Sequence, residues 1–222
     1  QDLVDSKATI TLSGKEITVA KDMTIGDAAS ANKVTVSGDG LSRVLTVNEG
    51  VNATISSMNF VDGAAQIGGA ILNNGSLILE NVGFSGNAAI ANNAEDDVVL
   101  REGLGGAIYN AGELTVNTAE FANNNSAYFG GAIYSVGSLD VNKAVFRGNA
   151  SGHNGGAIFV LNSSASIVDS AFGDNAAERN GGAIAASIAT GSGELNLVNT
   201  LVANNAANAV NGGAIYAFAA SG

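Results

Sequence analysis

The 222-residue chain contains no cysteine, no proline and no tryptophan, and it has a single histidine. The absence of cysteine excludes disulfide bonds, thiol catalysis and the common cysteine-ligated zinc sites. Proline removes donors from strand ladders, so its absence is compatible with extensive sheets. The 30 glycines and the many asparagines favour tight turns with left-handed backbone positions. This composition predicts a regular β structure with many turns.

Basic residues are also scarce, since nine Lys and Arg stand against 20 Asp and Glu and give a net charge of −11. Binding to a phosphate backbone needs a basic surface, so we predict no nucleic-acid partner. No apolar run approaches the roughly 20 residues of a transmembrane helix, so no membrane-spanning segment is expected. The start of the chain at Gln1 shows no signal-peptide pattern, which indicates that a secretory signal is absent or removed.

The strongest signal in the sequence is internal repetition. The tetrapeptide Gly-Gly-Ala-Ile begins at Gly68, Gly105, Gly130, Gly155, Gly181 and Gly212, with spacings of 37, 25, 25, 26 and 31 residues. Between the copies lies Phe-x-x-Asn, at Phe84/Asn87, Phe121/Asn124, Phe146/Asn149 and Phe172/Asn175, with degenerate versions at Phe60/Gly63 and Leu201/Asn204. One unit is therefore about 25 residues long.

Each unit predicts three short strands. Apolar residues seven and five positions before each Phe alternate with polar ones, as in Leu139 and Val141, which is the period of a strand. Units that cannot bury their apolar faces alone stack in parallel, so the sequence predicts an all-β, single-stranded parallel β-helix. Equivalent Ile, Phe and Asn residues should form ladders, with Ile133 inside and Ser135 in the turn that follows. The paired glycines should allow a backbone bend that a side chain would obstruct.

We expect one domain over residues 1–222. Residues 1–60 lack the tetrapeptide and are interpreted as irregular N-terminal coils and a cap, whereas 60–222 form the regular coils. The sequence ends at Gly222 in mid-coil, which predicts either further coils or coverage by another copy of the chain. End-to-end association between copies is therefore a further prediction, because an unpaired parallel edge invites it.

The segment from Phe146 to Phe159, which couples Phe-Arg-Gly-Asn to Gly-Gly-Ala-Ile, resembles the repeat of the chlamydial polymorphic outer-membrane proteins. The resemblance extends from Phe60 to Tyr216. It implies a right-handed, pectate-lyase-like β-helix displayed at the cell surface, as an autotransporter passenger or comparable adhesin of the outer membrane. The absence of cysteine departs from a full member of that family.

No catalytic group or cofactor emerges from the sequence. A glycosidase of this fold would need facing carboxylates on neighbouring coils, but Asp140 and Asp169 do not align, because Asp169 aligns with Lys143. A single His153, in a variable position of the repeat, is interpreted as surface variation rather than as part of a catalytic triad.

Two features are the candidate binding sites. The connection between Asn87 and Gly105 is 12 residues longer than usual, and a smaller insertion is expected at 186–193. Long excursions from a rigid scaffold often carry function. The candidate loop residues are Glu95, Asp96, Asp97, Arg101 and Glu102, for which calcium binding is left open. The aromatic positions after the repeated Ile form the second candidate, either as an exposed ridge or as packing between coils: Tyr109, Tyr134, Phe159 and Tyr216.

Together these observations predict a non-enzymatic, extracellular or cell-surface repeat domain. It would act as a rigid, adhesin-like stalk that presents loops to a host-cell surface protein or glycan. Two alternatives are a fragment of a carbohydrate-active β-helix enzyme, either lyase or hydrolase, and a structural filament subunit that stacks end to end.

Overall fold

The computed structural model describes residues 9–92, 102–189, 193–208 and 213–220. These residues form 26 strands and no helix, and so none that is long and apolar enough to cross a membrane. In chain order the strands are β1 (Thr9–Thr11), β2 (Ile17–Val19), β3 (Met23–Ile25), β4 (Val34–Ser37), β5 (Leu45–Val47), β6 (Asn52–Ser56), β7 (Met58–Val61), β8 (Ala64–Ala65), β9 (Ile71–Asn73), β10 (Ser76–Ser85), β11 (Ala88–Ala89), β12 (Ile108–Asn110), β13 (Glu113–Ala122), β14 (Asn125–Ser126), β15 (Ile133–Ser135), β16 (Ser138–Arg147), β17 (Ala150–Ser151), β18 (Ile158–Leu161), β19 (Ala165–Val168), β20 (Ala171–Gly173), β21 (Ala176–Ala177), β22 (Ile184–Ala189), β23 (Leu195–Val198), β24 (Leu201–Ala203), β25 (Ala206–Ala207) and β26 (Ile215–Ala220).

The strands pair in parallel and stack as a β-solenoid of about seven turns, with roughly 26 residues per turn. This confirms the predicted fold class. Sheet A holds the long strands such as β10, β13 and β16, sheet B runs from β2 to β26, and sheet C contains the two-residue strands from β8 to β25. Each turn visits sheet B, then sheet A, then sheet C. The irregular N-terminal strands join the same sheets, since β1 pairs with β4 and β2 pairs with β5.

Each long strand of sheet A is interrupted by one residue in the left-handed backbone region. In β16 this residue is Lys143, with φ of 54°, and its equivalents include Thr118 and Asp169 at 56° and 50°. The left-handed residue breaks the alternation of the strand, so Asn142 and Lys143 both face outward while Val141 and Ala144 face inward. We call this the kink position. The strand changes direction at this residue, and both of its halves remain paired with the same neighbouring strand.

Two apolar ladders fill the interior, as the sequence predicts. The register places Ile71, Ile108, Ile133, Ile158, Ile184 and Ile215 opposite one another. The second ladder consists of Phe60, Phe84, Phe121, Phe146 and Phe172, whose stacked rings have centroids 4.6 to 5.0 Å apart. All five rings are buried. Identical side chains at one solenoid spacing thus form a continuous core.

A buried asparagine ladder lies at the turn after sheet A. The side-chain Nδ2 of Asn124 donates to Asn149 Oδ1 at 2.9 Å and to the carbonyl oxygen of Phe84 at 3.2 Å. The same pattern runs from Asn87 through Asn175. Each amide therefore satisfies buried backbone groups as well as its neighbour in the ladder.

One sequence assignment is wrong by a single residue. The degenerate motif was placed at Leu201 and Asn204, but Phe172 pairs with Val202, and Asn175 donates to Asn205 Oδ1 at 2.8 Å. Asn204 instead takes the left-handed conformation, with φ of 57°. Leu201 consequently faces outward and is 66% exposed.

Ser135 also differs from the prediction, since it lies in β15 and is completely buried rather than in an exposed turn. Its hydroxyl accepts a hydrogen bond from Asn110 Nδ2 at 2.9 Å and donates to the carbonyl oxygen of Gly137 at 2.8 Å. Asn110 in turn accepts from Asn73. These residues form a second polar ladder, at the turn from sheet B to sheet A.

Candidate functional site

The long insertion leaves the scaffold between sheet C and sheet B. The amide nitrogen of Ile90 donates to the Ala65 carbonyl oxygen, and in the next turn Ala127 donates in the same way to Ala89. Tyr128, which directly follows Ala127, donates to the carbonyl oxygen of Gly103. Ile90 is therefore equivalent to Ala127, and Gly103 is equivalent to Tyr128. Because Ala127 and Tyr128 are adjacent in the chain, residues 91–102 are the added length.

Of the candidate loop residues, Glu95, Asp96, Asp97 and Arg101 lie outside the described residues. Glu102 is described, and its carboxylate accepts hydrogen bonds from Gln66 Nε2 at 2.8 Å and from the Asn92 amide at 2.9 Å. Asn92 lies near the start of the insertion and Glu102 at its end, so this one side chain links the two ends of the insertion. Both carboxylate oxygens of Glu102 therefore accept hydrogen bonds at the base of the insertion.

The register confirms a smaller insertion within 186–193, because Leu161 pairs with Ser187 at an offset of 26 residues and Ala165 pairs with Leu195 at an offset of 30. It does not form a separate loop over residues 186–189. These residues belong to β22 and pair with β26, so that Ala186 lies opposite Ala217 and Ala189 opposite Ala220. The four extra residues lie between Ser187 and Leu195, and β22 extends into their start.

The aromatic positions form a packed cluster on the outer face of sheet B. Tyr134 and Phe159 are only 6% and 5% exposed, because Leu104 and Phe129 from the preceding connections cover them. Their ring centroids are 5.6 Å apart, and burial raises the pKa of Tyr134 to about 12. Of the two alternatives for these positions, the structure shows packing between turns rather than an exposed ridge at Tyr134 and Phe159. Tyr109 and Tyr216 are partly buried against the same cluster.

His153 is part of this aromatic cluster rather than a freely variable surface residue. Its ring stands edge-on to Tyr128 and Phe129, at centroid distances of 4.9 and 5.4 Å. Burial and, to a smaller extent, the positive charge of Arg179 lower the pKa of His153 from its usual value. Folding therefore favours the neutral imidazole.

This shift makes stability weakly dependent on pH. As pH falls below about 6.5, His153 takes up a proton in the unfolded chain before it does so in the folded one, so stability decreases. We expect the melting temperature of the wild type to drop more between pH 7.5 and pH 5.5 than that of His153→Gln. The difference should be on the order of 1 °C, since solvent screens a partly exposed ring. Differential scanning calorimetry at both pH values measures it, and parallel curves for the two proteins would contradict the environment assigned to His153.

The acidic residues of the described chain do not gather into a metal site. No group of three or more His, Cys, Asp or Glu side chains could hold a metal ion in this part of the chain. The register places Asp140 opposite Ser166, and Asp169 follows at the kink position of the next turn. The two acids therefore belong to different rows of the sheet.

Sequence reasoning overlooked an open groove on the outer face of sheet A. The groove follows the kink position, and Lys143, Asp169 and Asn199 line it. These side chains differ chemically from turn to turn, so no recurring motif marks them. Lys143 lies three residues before Phe146, and Asp169 lies three residues before Phe172. This constant distance is the signal that could have shown that Lys143 and Asp169 share one row of the sheet.

Comparison with known proteins adds one match. The sequence model of the Chlamydia polymorphic membrane protein (Chlamydia_PMP) repeat matches residues 118–136 and 143–161. Both segments begin at a kink position, and each includes one Phe-x-x-Asn and one Gly-Gly-Ala-Ile. The first ends one residue after β15, and the second ends with the last residue of β18. Searches of curated proteins and of solved structures give no match. Residues 118–136 and 143–161 therefore match the Chlamydia polymorphic membrane protein repeat, and the two segments fold as consecutive parts of a β-solenoid.

Proposed function

We propose that this chain is a non-enzymatic, adhesin-like surface domain that acts as a rigid stalk and presents its insertion to a partner on a host cell. The repeat and the β-solenoid fit a surface repeat domain of a polymorphic membrane protein. The partner is a protein or glycan of the host-cell surface. The match to a repeat of polymorphic membrane proteins supports an extracellular position at the outer membrane.

The observation that carries the proposal is the division between inward and outward positions. The recurring Ile, Phe and Asn side chains are used in stacking, and the Gly-Gly pairs are required by the backbone. The outward positions vary instead, as in the kink-position row Thr118, Lys143 and Asp169, whose members are all exposed. The repeated residues therefore build a scaffold, and the variation lies where a partner would touch it.

The insertion is the largest variation in length between the repeats. Residues 91–102 carry four acids and one Arg, a net charge of −3, within a chain of −11. The scaffold continues undisturbed across it, since β11 pairs with β14 and β12 pairs with β15 in the same register as the turns that follow. A segment added without cost to the ladder is well suited to present a binding surface.

Deletion of residues 91–102 tests this role. The product joins Ile90 to Gly103, as Ala127 is joined to Tyr128, so it should keep the β circular-dichroism spectrum and cooperative melting. A second variant, Glu95→Gln/Asp96→Asn/Asp97→Asn, keeps the length and removes three charges. Fluorescently labelled proteins are applied to cultured epithelial cells, and binding is measured by flow cytometry. We expect the deletion to abolish most of the binding and the neutralised variant to reduce it.

Other outcomes would contradict the proposal in distinct ways. Loss of folding in the deletion protein would make the insertion part of the scaffold, whereas unchanged binding by a folded deletion protein would exclude it as the contact surface. A wild-type chain that binds no cell surface would refute the adhesin-like role. Release of reducing ends from polysaccharides by the wild type would refute the non-enzymatic assignment and favour a carbohydrate-active enzyme.

A further inference from the structure

The groove on the outer face of sheet A has the size and the lining of a ligand site. Two adjoining depressions, of about 670 Å³ and 350 Å³, share Lys143 and Asp169. Volumes in this range are typical of sites that hold small molecules. The larger depression includes Asn199 and Leu201, and the smaller one includes Asp140. We call the two depressions together the groove.

Two parallel stripes of different chemistry form the larger depression. The polar stripe follows the kink position through Lys143, Asp169 and Asn199. An apolar stripe lies two residues further along each strand, where Val145 pairs with Ala171 and Ala171 pairs with Leu201. Val145 and Leu201 are 44% and 66% exposed. Successive members of each stripe are about 4.8 Å apart along the solenoid axis, the spacing of neighbouring strands.

The polar stripe is arranged to exchange hydrogen bonds. Asn199 Nδ2 donates to Asp169 Oδ1 at 2.6 Å, which orients the carboxylate and leaves Oδ2 to accept from a ligand. Lys143 forms no ion pair with any carboxylate among the residues that the structure describes. The ammonium group of Lys143 can therefore donate hydrogen bonds to a ligand.

The charge of the groove narrows the ligand class. Asp140 and Asp169 stand against Lys143, so the charged residues of the lining sum to −1 within a strongly acidic chain. This balance disfavours polyanions such as nucleic acids and acidic polysaccharides. A metal ion would need more carboxylates than the two present.

We infer that the groove binds a neutral oligosaccharide along the solenoid axis. A pyranose ring offers an apolar C–H face, which suits the Val145–Leu201 stripe, and a rim of hydroxyl groups, which suits carboxylate acceptors and amide and ammonium donors. The spacing of the turns is close to the length of one sugar ring, so consecutive sugars meet equivalent positions on consecutive turns. This site is separate from the insertion at 91–102 and does not depend on the role proposed for it.

Isothermal titration calorimetry with defined trisaccharides tests the inference. The probes are cellotriose, mannotriose and triacetylchitotriose, with trigalacturonate as the acidic counterpart. We expect at least one neutral probe to bind and Asp169→Asn to weaken it by about tenfold, the effect of removing a charged hydrogen-bond acceptor. Asp174→Asn is the matched control, because Asp174 has the same left-handed backbone, is exposed and lies outside the groove lining.

A second pair of variants tests the apolar stripe. Leu201→Ser should weaken binding severalfold, whereas Leu41→Ser, at a residue that is 68% exposed and remote from the groove lining, should not. Circular-dichroism melting checks that all four variants remain folded. Absence of binding by every neutral probe at millimolar concentration would overturn the inference, and equal losses in Asp169→Asn and Asp174→Asn would overturn the placement. Tighter binding of trigalacturonate than of the neutral probes would overturn the ligand class.

Discussion

Replacing Ile133 with aspartate is expected to destabilise the chain by about 3 to 5 kcal/mol, the usual cost of a buried charge without a partner. Ile133 is completely buried and lies between Ile108 and Ile158 in the interior ladder. A carboxylate at this position contacts aliphatic side chains above and below and finds no donor there. Urea unfolding followed by circular dichroism measures the free energy of unfolding of the variant and of the wild type.

Ala176→Asp is the control for this prediction. Ala176 also lies on a strand of the solenoid, but it is exposed, and its neighbours in sheet C are Ala150 and Ala206. The introduced carboxylate stays in water, so the loss should be below about 1 kcal/mol. Ser135→Asp should resemble Ile133→Asp rather than the control, because Ser135 is buried. Similar small losses for Ile133→Asp and Ala176→Asp would contradict the assigned orientation of the strands.

Gly131→Val is expected to prevent neighbouring turns from stacking, at a cost above the roughly 3 kcal/mol of ordinary overpacking. A Cβ at Gly131 would overlap the carbonyl oxygen of Gly156 and lie 2.5 Å from that of Ala150. Both atoms belong to the backbone of the next turn, which cannot rotate away as a side chain can. The expected results are loss of soluble, cooperatively melting protein on expression and a reduced β signal in circular dichroism.

Gly173→Val provides the comparison. A Cβ at Gly173 would have Ala203 oxygen as its nearest neighbour, at 4.0 Å, and the residue lies in β20 without a left-handed backbone. Valine favours strands, so this variant should be neutral or slightly stabilising. If Gly173→Val were as damaging as Gly131→Val, the effect would reflect a general intolerance of the strands rather than the close approach of two backbones.

The sequence predicts the solenoid and its ladders because both depend on repetition. Ile133 and Phe146 recur with their surroundings at one spacing, and identical side chains at the same place in each turn must stack. The same period of two would have placed Ser135 inside, since it follows Ile133 by two residues in one strand. Its polar character suggested a turn, but the hydrogen bond to Asn110 satisfies the hydroxyl in the interior.

The candidate sites were harder to predict because they depend on contacts between residues of different turns and of the segments that connect the strands. Tyr134 faces outward from its strand, and only the path of the chain before Gly130 brings Phe129 over the neighbouring Phe159, at a centroid distance of 4.7 Å. The groove requires the left-handed backbone at Lys143 and Asp169, where neither side chain resembles its equivalents. The loop residues Glu95, Asp96, Asp97 and Arg101 lie outside the described residues, and their role stays a prediction.

The direction of the hydrogen bonds gives this solenoid a particular response to mechanical load. Bonds between turns, such as those of the asparagine ladder, run along the solenoid axis, so tension applied between its two ends pulls on them lengthwise. Turns at an end are held by one neighbour only and should peel away singly, rather than shear together as a whole sheet would. Each turn that unwinds releases about 26 residues, which extend to roughly 90 Å. We therefore expect a solenoid of this design to lengthen in steps under tension and to keep its remaining turns intact.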